Sequence, residues 1–351
     1  MNLNDLLKTM VDKNASDLHI TAGSPPRIRT GGKLIPLSGE KLSLEDAKKI
    51  IESELSETNK NKLLNGSEVD FSISVPGVSR FRVNVFNQRG NFAAAYRRLP
   101  YEIPSIDSLG LPPSVINLTT RRKGLILITG TTGSGKSTTL ASIIYKLTQE
   151  LEGHIITIED PIEYLYPHSK AQVNQREVGV DTESFATGLK SALRQDPDVV
   201  VVGELRDMES MAAAITIAET GHLVFGTLHT NTASGTINRL VDAFPADKQD
   251  VIRVNLSMSL LAVVAQQLIP NKIGERSLAA EVMISTPAIQ SLIRENNVHQ
   301  IDNYIKSGAN EGMIRMDDSL MNLFKMGEIT KDDTLRYSVD QKSIKDQLGK
   351  L

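Results

Sequence analysis

The ten residues GTTGSGKSTT, 130–139, follow the apolar run Leu125-Ile126-Leu127-Ile128. Their reading decides the fold. The turn matches G-x-x-x-x-G-K-[ST] at Gly130, Gly135, Lys136 and Ser137, with an extra Gly133, and Thr131, Thr132, Ser134 and Thr138 fill out the loop. Glycines at these positions let backbone N–H groups converge on phosphate oxygens. The helix that opens at Lys136 adds the positive end of its dipole. In this pattern the lysine reaches the β- and γ-phosphates of a nucleotide and the Ser137 hydroxyl ligates Mg²⁺. A buried strand before the turn and a helix after it supply the required context.

Outward from this turn, further apolar runs at His154–Glu159, Val199–Gly203 and Leu223–Thr227 are continuous rather than alternating. Strands buried on both faces read that way. Helices fit between them at Lys136–Glu150, Thr182–Arg194, Met208–Thr220, Thr232–Ala243 and Asp247–Leu268. The pattern predicts an α/β core over residues 116–270, a mainly parallel sheet with helices outside. Residues 271–351 read as a mostly helical region, fraying from Gln341.

A P-loop needs an acid near its Mg²⁺. Val199–Val202 runs into Gly203-Glu204 at the carboxyl end of a strand, the edge where open parallel sheets bind ligands. Glu204 is the expected second metal contact, partly through water because glutamate is longer than the usual aspartate. Ile158-Glu159-Asp160-Pro161-Ile162-Glu163 gathers three carboxylates in five residues. Crowding like charges is unfavourable unless a cation or a chemical task offsets it. Glu163 is the expected orienting carboxylate for an attacking water, with Glu159 second. Gly221–Thr230 puts His222 and His229 at opposite ends of one strand. His229 falls at the phosphate edge, where it would sense or transmit the γ-phosphate; His222 has only its strand-end place to recommend it.

Residues 1–98 read as a separate α+β unit: a helix over 4–13, a strand over 16–21, a helix over 43–55 with Ser43 as N-cap, and three strands over 70–98. Residues 99–115 carry Pro100, Pro104, Pro112 and Pro113 and read as a linker. Arg80, Arg82, Arg97 and Arg98 lie on adjacent strands, and Arg80 and Arg82 share a face. An arginine brought to a γ-phosphate from another domain or subunit accelerates phosphoryl transfer by orders of magnitude. A solvated or salt-bridged strand face is the alternative for the same residues.

Composition narrows the classes. The 351 residues are 40% hydrophobic and 23% charged, with net charge −3, as in an ordinary globular protein without a basic excess for nucleic acid. The absence of cysteine excludes disulfides and thiolate zinc sites and suits a reducing cytosol. No stretch suggests a signal peptide or a membrane span. The residues alone thus support a P-loop NTPase with an extra N-terminal domain.

Five ordered motifs carry a resemblance that covers nearly the whole chain. They are Ala15–Ile20, the loop 130–137, the acidic box 158–163, Arg194–Asp198 leading into 199–207, and the histidine box 221–230. The chain resembles the secretion-ATPase superfamily and, within it, the PilT-type retraction ATPases of type IV pili. The resemblance implies a PAS-like N-terminal domain, a RecA-like core and a homo-hexameric ring using ATP and Mg²⁺ at domain and subunit interfaces. It also implies Arg82 and Arg97 as participants there, and work on an inner-membrane platform protein from the cytoplasmic face. The extension branch carries a four-cysteine zinc module, which this cysteine-free chain cannot form. Ala288–Glu295 resembles the AIRNLIRE stretch of the retraction branch, with Gln290 and Ser291 in place of Arg and Asn. That departure leaves two roles open, a motor that retracts alone and an accessory paralogue. A RecA-like nucleic-acid translocase is the reading from a different class, disfavoured by the charge.

Overall fold

The computed structural model of the chain describes residues 2–37, 39–100 and 102–350. It divides into two compact units, residues 1–102 with 160–165, and residues 103–159 with 166–351.

The first unit is built on a six-stranded sheet. In chain order its elements are α1 (Leu3–Asp12), β1 (Asp17–Ile20), β2 (Arg27–Thr30), β3 (Lys33–Pro36), α2 (Leu44–Glu52), α3 (Glu57–Leu64), β4 (Val69–Val75), β5 (Ser79–Gln88) and β6 (Asn91–Arg98). The strand order is β3-β2-β1-β6-β5-β4, antiparallel throughout. One face is apolar: Ile28, Leu18, Tyr96 and Val83 are cross-strand neighbours, and all are buried with residues from the three helices. Ser43 caps α2, accepting from the Asp46 amide at 3.1 Å while its hydroxyl donates to the Asp46 carboxylate at 2.6 Å. The hairpin β2–β3 was not anticipated; its strands are four residues each and turn on Gly31 and Gly32, both at positive φ.

The second unit holds α4 (Pro113–Ile116), β7 (Gly124–Thr129), α5 (Lys136–Glu150), β8 (His154–Glu159), β9 (Gln172–Glu177), α6 (Phe185–Ala192), β10 (Val199–Val202), α7 (Met208–Glu219), β11 (Leu223–Leu228), α8 (Ala233–Asp242), α9 (Gln249–Ser259), β12 (Leu260–Pro270) and β13 (Arg276–Ile284). Helices α10 (Pro287–Arg294), α11 (Ile301–Ser307), α12 (Met316–Lys325), α13 (Lys331–Tyr337) and α14 (Gln341–Leu348) follow. Strand order is β13-β12-β7-β11-β10-β8-β9. All pairs are parallel except β12–β13. Alternate residues of β7 enter two different apolar clusters, Leu125 and Leu127 one, Ile126 and Ile128 the other. The sheet is therefore buried on both faces, which explains its uninterrupted apolar strands.

Four sequence expectations change. The helix read over Asp247–Leu268 stops at Ser259, and the rest is strand β12. A run such as Leu-Leu-Ala-Val-Val-Ala carries no period that separates a buried strand from a buried helix. The core sheet does not end at residue 270, since β13 extends it to Ile284, and the mostly helical region read over 271–351 follows from there. The proline stretch 99–115 is not a free linker along its whole length: Ile106, Leu111 and Val115 are buried in the second unit's core, and Ser142 Oγ donates to the Pro104 carbonyl at 2.7 Å. The tail from Gln341 forms α14, with Ile344 and Leu348 buried.

Candidate active site

The loop Gly130–Gly135 carries the chain from β7 into α5. Gly130 has φ 141°, and a Cβ there would lie 2.4 Å from the Gln266 carbonyl oxygen. Strand β12 thus closes against the loop and excludes any side chain at this position. Thr131, Thr132, Gly133 and Ser137 are exposed, Gly135 and Thr138 are partly covered, and Ser134 is buried. The Ser134 hydroxyl has no hydrogen-bond partner among the described residues. Lys136 is only 9% exposed, and its Nζ donates to the Gly130 and Thr131 carbonyls at 2.8 and 3.0 Å. The ammonium thus donates to two neutral carbonyls of its own loop. A phosphate oxygen, being charged, is the stronger acceptor and would draw it away.

The neighbouring strands end at the same edge of the sheet. After β10, Glu204 receives Arg206 Nη2 at 2.9 Å and lies 3.3 Å from His229 Nε2. After β8, Glu159 accepts from the Thr157 hydroxyl at 2.6 Å and from Gln175 Nε2 at 3.0 Å. Two motifs read separately in sequence, the Glu204 acid and the histidine box, thus meet in one contact. Sequence reasoning missed Arg206 and Gln175. Arg206 stands two residues from Glu204, a spacing that carries no contact information by itself. Gln175 sits on the polar edge strand β9, which has no apolar run to mark it.

The histidine box continues into α8, whose first amide, Ala233 N, donates to Glu281 Oε1 at 2.8 Å. Glu281 is 7% exposed. Burial pushes its pKa up to about 7, with Asp302 and Asp317 adding repulsion against the opposing backbone hydrogen bonds from Ala233 and Met316.

The opposite edge of the sheet is structural. His222 Nδ1 lies 3.1 Å from the Ile217 carbonyl and 3.2 Å from Thr220 Oγ1, tying the end of α7 to the start of β11. In the Arg194–Asp198 stretch, Asp198 accepts from the His154 amide at 2.8 Å, and His154 Nδ1 lies 3.0 Å from the Gln195 carbonyl. These residues join the amino ends of β8 and β10.

In the first unit three arginines occupy one row. Arg29, Asp17, Arg97, Arg82 and Ser72 are consecutive cross-strand neighbours from β2 to β4. Arg97 Nε donates to Asp17 Oδ1 at 2.8 Å. Arg82 Nε lies 3.1 Å from both Asp70 oxygens. The hydrogen bond that Arg82 donates to Asp70, then the charges of Asp70, Asp160 and Glu163, raise the Arg82 pKa against desolvation. Glu163 therefore belongs electrostatically with the arginines, whereas Glu159 belongs to the core sheet. Arg80 is buried and donates to the Ile162 carbonyl at 3.0 Å and to Ser72 Oγ at 3.1 Å. It pins the segment 160–165 to β5. Arg98 falls on the opposite side of β6 from Arg97.

A divalent cation would find few protein ligands. Among the described residues no cluster of three or more His, Cys, Asp or Glu is placed to hold a metal. The Ser137 hydroxyl and the carboxylates of Glu204 and Glu159 are oxygen donors at this edge of the sheet. Such a sparse, hard-oxygen set suits Mg²⁺, which keeps its waters and takes phosphate oxygens as ligands.

The Type II/IV secretion system protein family matches residues 1–310. The type IV pilus retraction ATPase PilT of Pseudomonas aeruginosa is 44% identical over 95% of this chain and 97% of its own. The type IV pilus ATPase PilU of the same organism is 41% identical over 96% of this chain and 89% of its own. A crystal structure of the pilus retraction motor PilT with bound ADP superposes with a TM-score of 0.92 at 48% identity, covering 99% of each chain. The chain belongs to the Type II/IV secretion system protein family, in its PilT-type branch.

Proposed function

We propose that this protein hydrolyses ATP to ADP and phosphate as a ring of six copies, and that the work drives retraction of a type IV pilus. The observation that carries this reading is the single edge of the core sheet where the glycine loop with Lys136, the linked Glu204–His229 pair and Glu159 all end. Relatives named as retraction and twitching proteins support the assignment.

On this reading Gly130–Thr138 wraps the phosphate chain, with Lys136 leaving its loop carbonyls for the β- and γ-oxygens. The unpartnered Ser134 hydroxyl offers one more donor. Ser137 and Glu204 would hold Mg²⁺, Glu204 partly through water. When bound, that ion would neutralise charge building on the phosphate oxygens. Glu163 orients and deprotonates the attacking water, with Glu159 as the competing candidate. Arg82 and Arg97 contact the γ-phosphate, from the same chain or a neighbour. His229, in contact with Glu204, passes the loss of that phosphate to α8. Release of the phosphate loosens the clamp and lets the two units move. No described helix is long and apolar enough to cross a membrane; the ring would work on an inner-membrane platform protein from the cytoplasmic side.

Phosphate release by the purified protein tests the enzyme: Lys136→Ala should lower turnover at least about 10³-fold, by the scale of lost transition-state charge stabilisation. Parent-like turnover in that variant overturns the reading. Deleting the gene should leave cells with many pili that cannot be withdrawn; cells without pili would point to an extension role. The accessory role rests on the comparable identity to PilU and on Gln290 and Ser291. Those two side chains sit on the less buried side of α10, while Ile289, Leu292 and Ile293 pack inward. Restoring retraction in a strain that lacks every other retraction ATPase would exclude the accessory role.

A further inference from the structure

The buried carboxylate of Asp17 is placed oddly for a residue that only stabilises the fold. Its side chain is 9% exposed, while its partner Arg97 is 71% exposed. Burying a carboxylate is costly, and an ion pair with so exposed an arginine returns little of that cost. Asp17 nevertheless accepts from the Ser16 hydroxyl at 2.7 Å and has Arg29 Nε at 3.9 Å. Burial alone would raise its pKa; Ser16 and Arg97 outweigh that and hold it below the ordinary range. The result is a fixed, ionised anchor.

The row around it is unusual too. Arg97 stands directly opposite Arg82, and like charges in that position repel. Each arginine is fixed by a separate carboxylate on its far side. Asp70 takes two nitrogens of Arg82, whereas Asp17 takes only Nε of Arg97. The terminal nitrogens of Arg97 make no hydrogen bond among the described residues. Arg29, Arg97 and Arg82 stand against Asp17 and Asp70, and Asp160 and Glu163 act on Arg82 from beside the row. A pair of guanidinium groups so placed is a fork for an anion with several oxygens.

Resting on the ATPase reading above, we propose that Asp17 is a positioning residue, which aims Arg97 beside Arg82 so that the two receive the terminal phosphate of ATP. Asp17 itself does not touch the nucleotide.

The test is a double-mutant cycle on the full-length protein, read by phosphate release, by melting and by titration with fluorescent ADP and a non-hydrolysable ATP analogue. Arg97→Ala should lower kcat about 10²-fold, within the range of lost arginine contacts. Asp17→Asn should lower kcat about 10-fold and weaken the ATP analogue while leaving ADP affinity within about two-fold, because ADP lacks the terminal phosphate. In the Arg97→Ala background Asp17→Asn should cost less than about two-fold more. A merely structural aspartate would move ADP and ATP-analogue affinity together, or would act the same with and without Arg97. Either result overturns the proposal, as does parent-like turnover in Asp17→Asn. A parent protein that releases phosphate no faster than its Lys136→Ala variant brings down the ATPase reading itself, and this inference with it.

Discussion

The phosphate loop and the charged row of the N-terminal sheet are built in opposite ways. At the edge of the core sheet the phosphate loop is one continuous segment, Gly130 to Thr138, and its chemistry follows from residues a few positions apart. On the face of the N-terminal sheet the charged row is assembled from Arg29, Asp17, Arg97, Arg82 and Ser72 on five different strands. A loop motif survives in the linear sequence because a tight turn and a helix start are local events. A row across a sheet exists only once the register is set, and a shift of one residue would turn every member to the other face. The same difference separates Glu159 from Glu163. They are four residues apart, yet the first ends a core strand and the second falls with the arginines.

That split gives the sharpest way to break the comparison. If the carboxylate that activates water comes with the arginines, Glu163→Gln should lower kcat about 10³-fold with nucleotide affinity little changed, the usual scale for a lost general base. Glu159→Gln should cost about ten-fold less, because its oxygen is already committed to Thr157 and Gln175. The reverse order in phosphate-release assays would return the chemistry to the core sheet and leave the N-terminal face with binding alone.

Much of the architecture was legible for physical reasons that also explain the misses. Four double-sided strands, β7, β8, β10 and β11, announce themselves as unbroken apolar runs. Strand β9, Gln-Val-Asn-Gln-Arg-Glu, lies at an edge where polar residues meet solvent, so no pattern marked it. Strand β12 was hidden for the opposite reason, since it is apolar enough to continue a helix. In the candidate site, the placing of Lys136, Ser137, Glu204 and His229 at one edge of the sheet could be read from strand ends. Asp17 and Asp70 could not, because each acts on a partner at least twelve residues away whose position depends on pairing.

The comparison extends to two carboxyl groups with equally little exposed surface, of which Glu281 lies the deeper. Asp17 and Glu281 are each 7% exposed, yet their pKa values move apart. Asp17 has donors that overcome burial, so its value falls. Glu281 has burial, then Asp302 and Asp317, against two backbone amides, and rises to about 7. The consequences for stability have opposite signs. The contribution of Asp17 is present above its ordinary value of 3.8 and is lost as acid carries the pH through its lowered folded value. Glu281 binds its proton more tightly folded than unfolded, so stability is full below 4.5 and declines as pH rises through about 7. A gap of about 2.5 units corresponds to about 3 kcal/mol. Glu281→Gln keeps an acceptor for Ala233 and removes the titration, so its melting midpoint should stay flat between pH 5 and 8 while the parent's falls. A parent curve as flat as the variant's would mean Glu281 is not held neutral.

The smallest expected effect is the most local comparison, between the two histidines of one strand. His229 touches Glu204 at the phosphate edge, and His222 closes the α7 turn at the other end. Replacing His229 with Ala frees the Glu204 carboxylate from one of its two cationic-capable neighbours while leaving Arg206 in place. The acid stays near its position but less tightly aimed, so a loss of about ten-fold in kcat is expected, well short of removing a group that takes a proton. His222→Ala should leave kcat within about two-fold. It removes a contact to a backbone carbonyl, so its cost, on the order of 1 kcal/mol, belongs to stability. Equal losses of turnover in the two variants would mean that strand β11 transmits strain along its length, and that position at the sheet edge does not by itself separate a working histidine from a structural one.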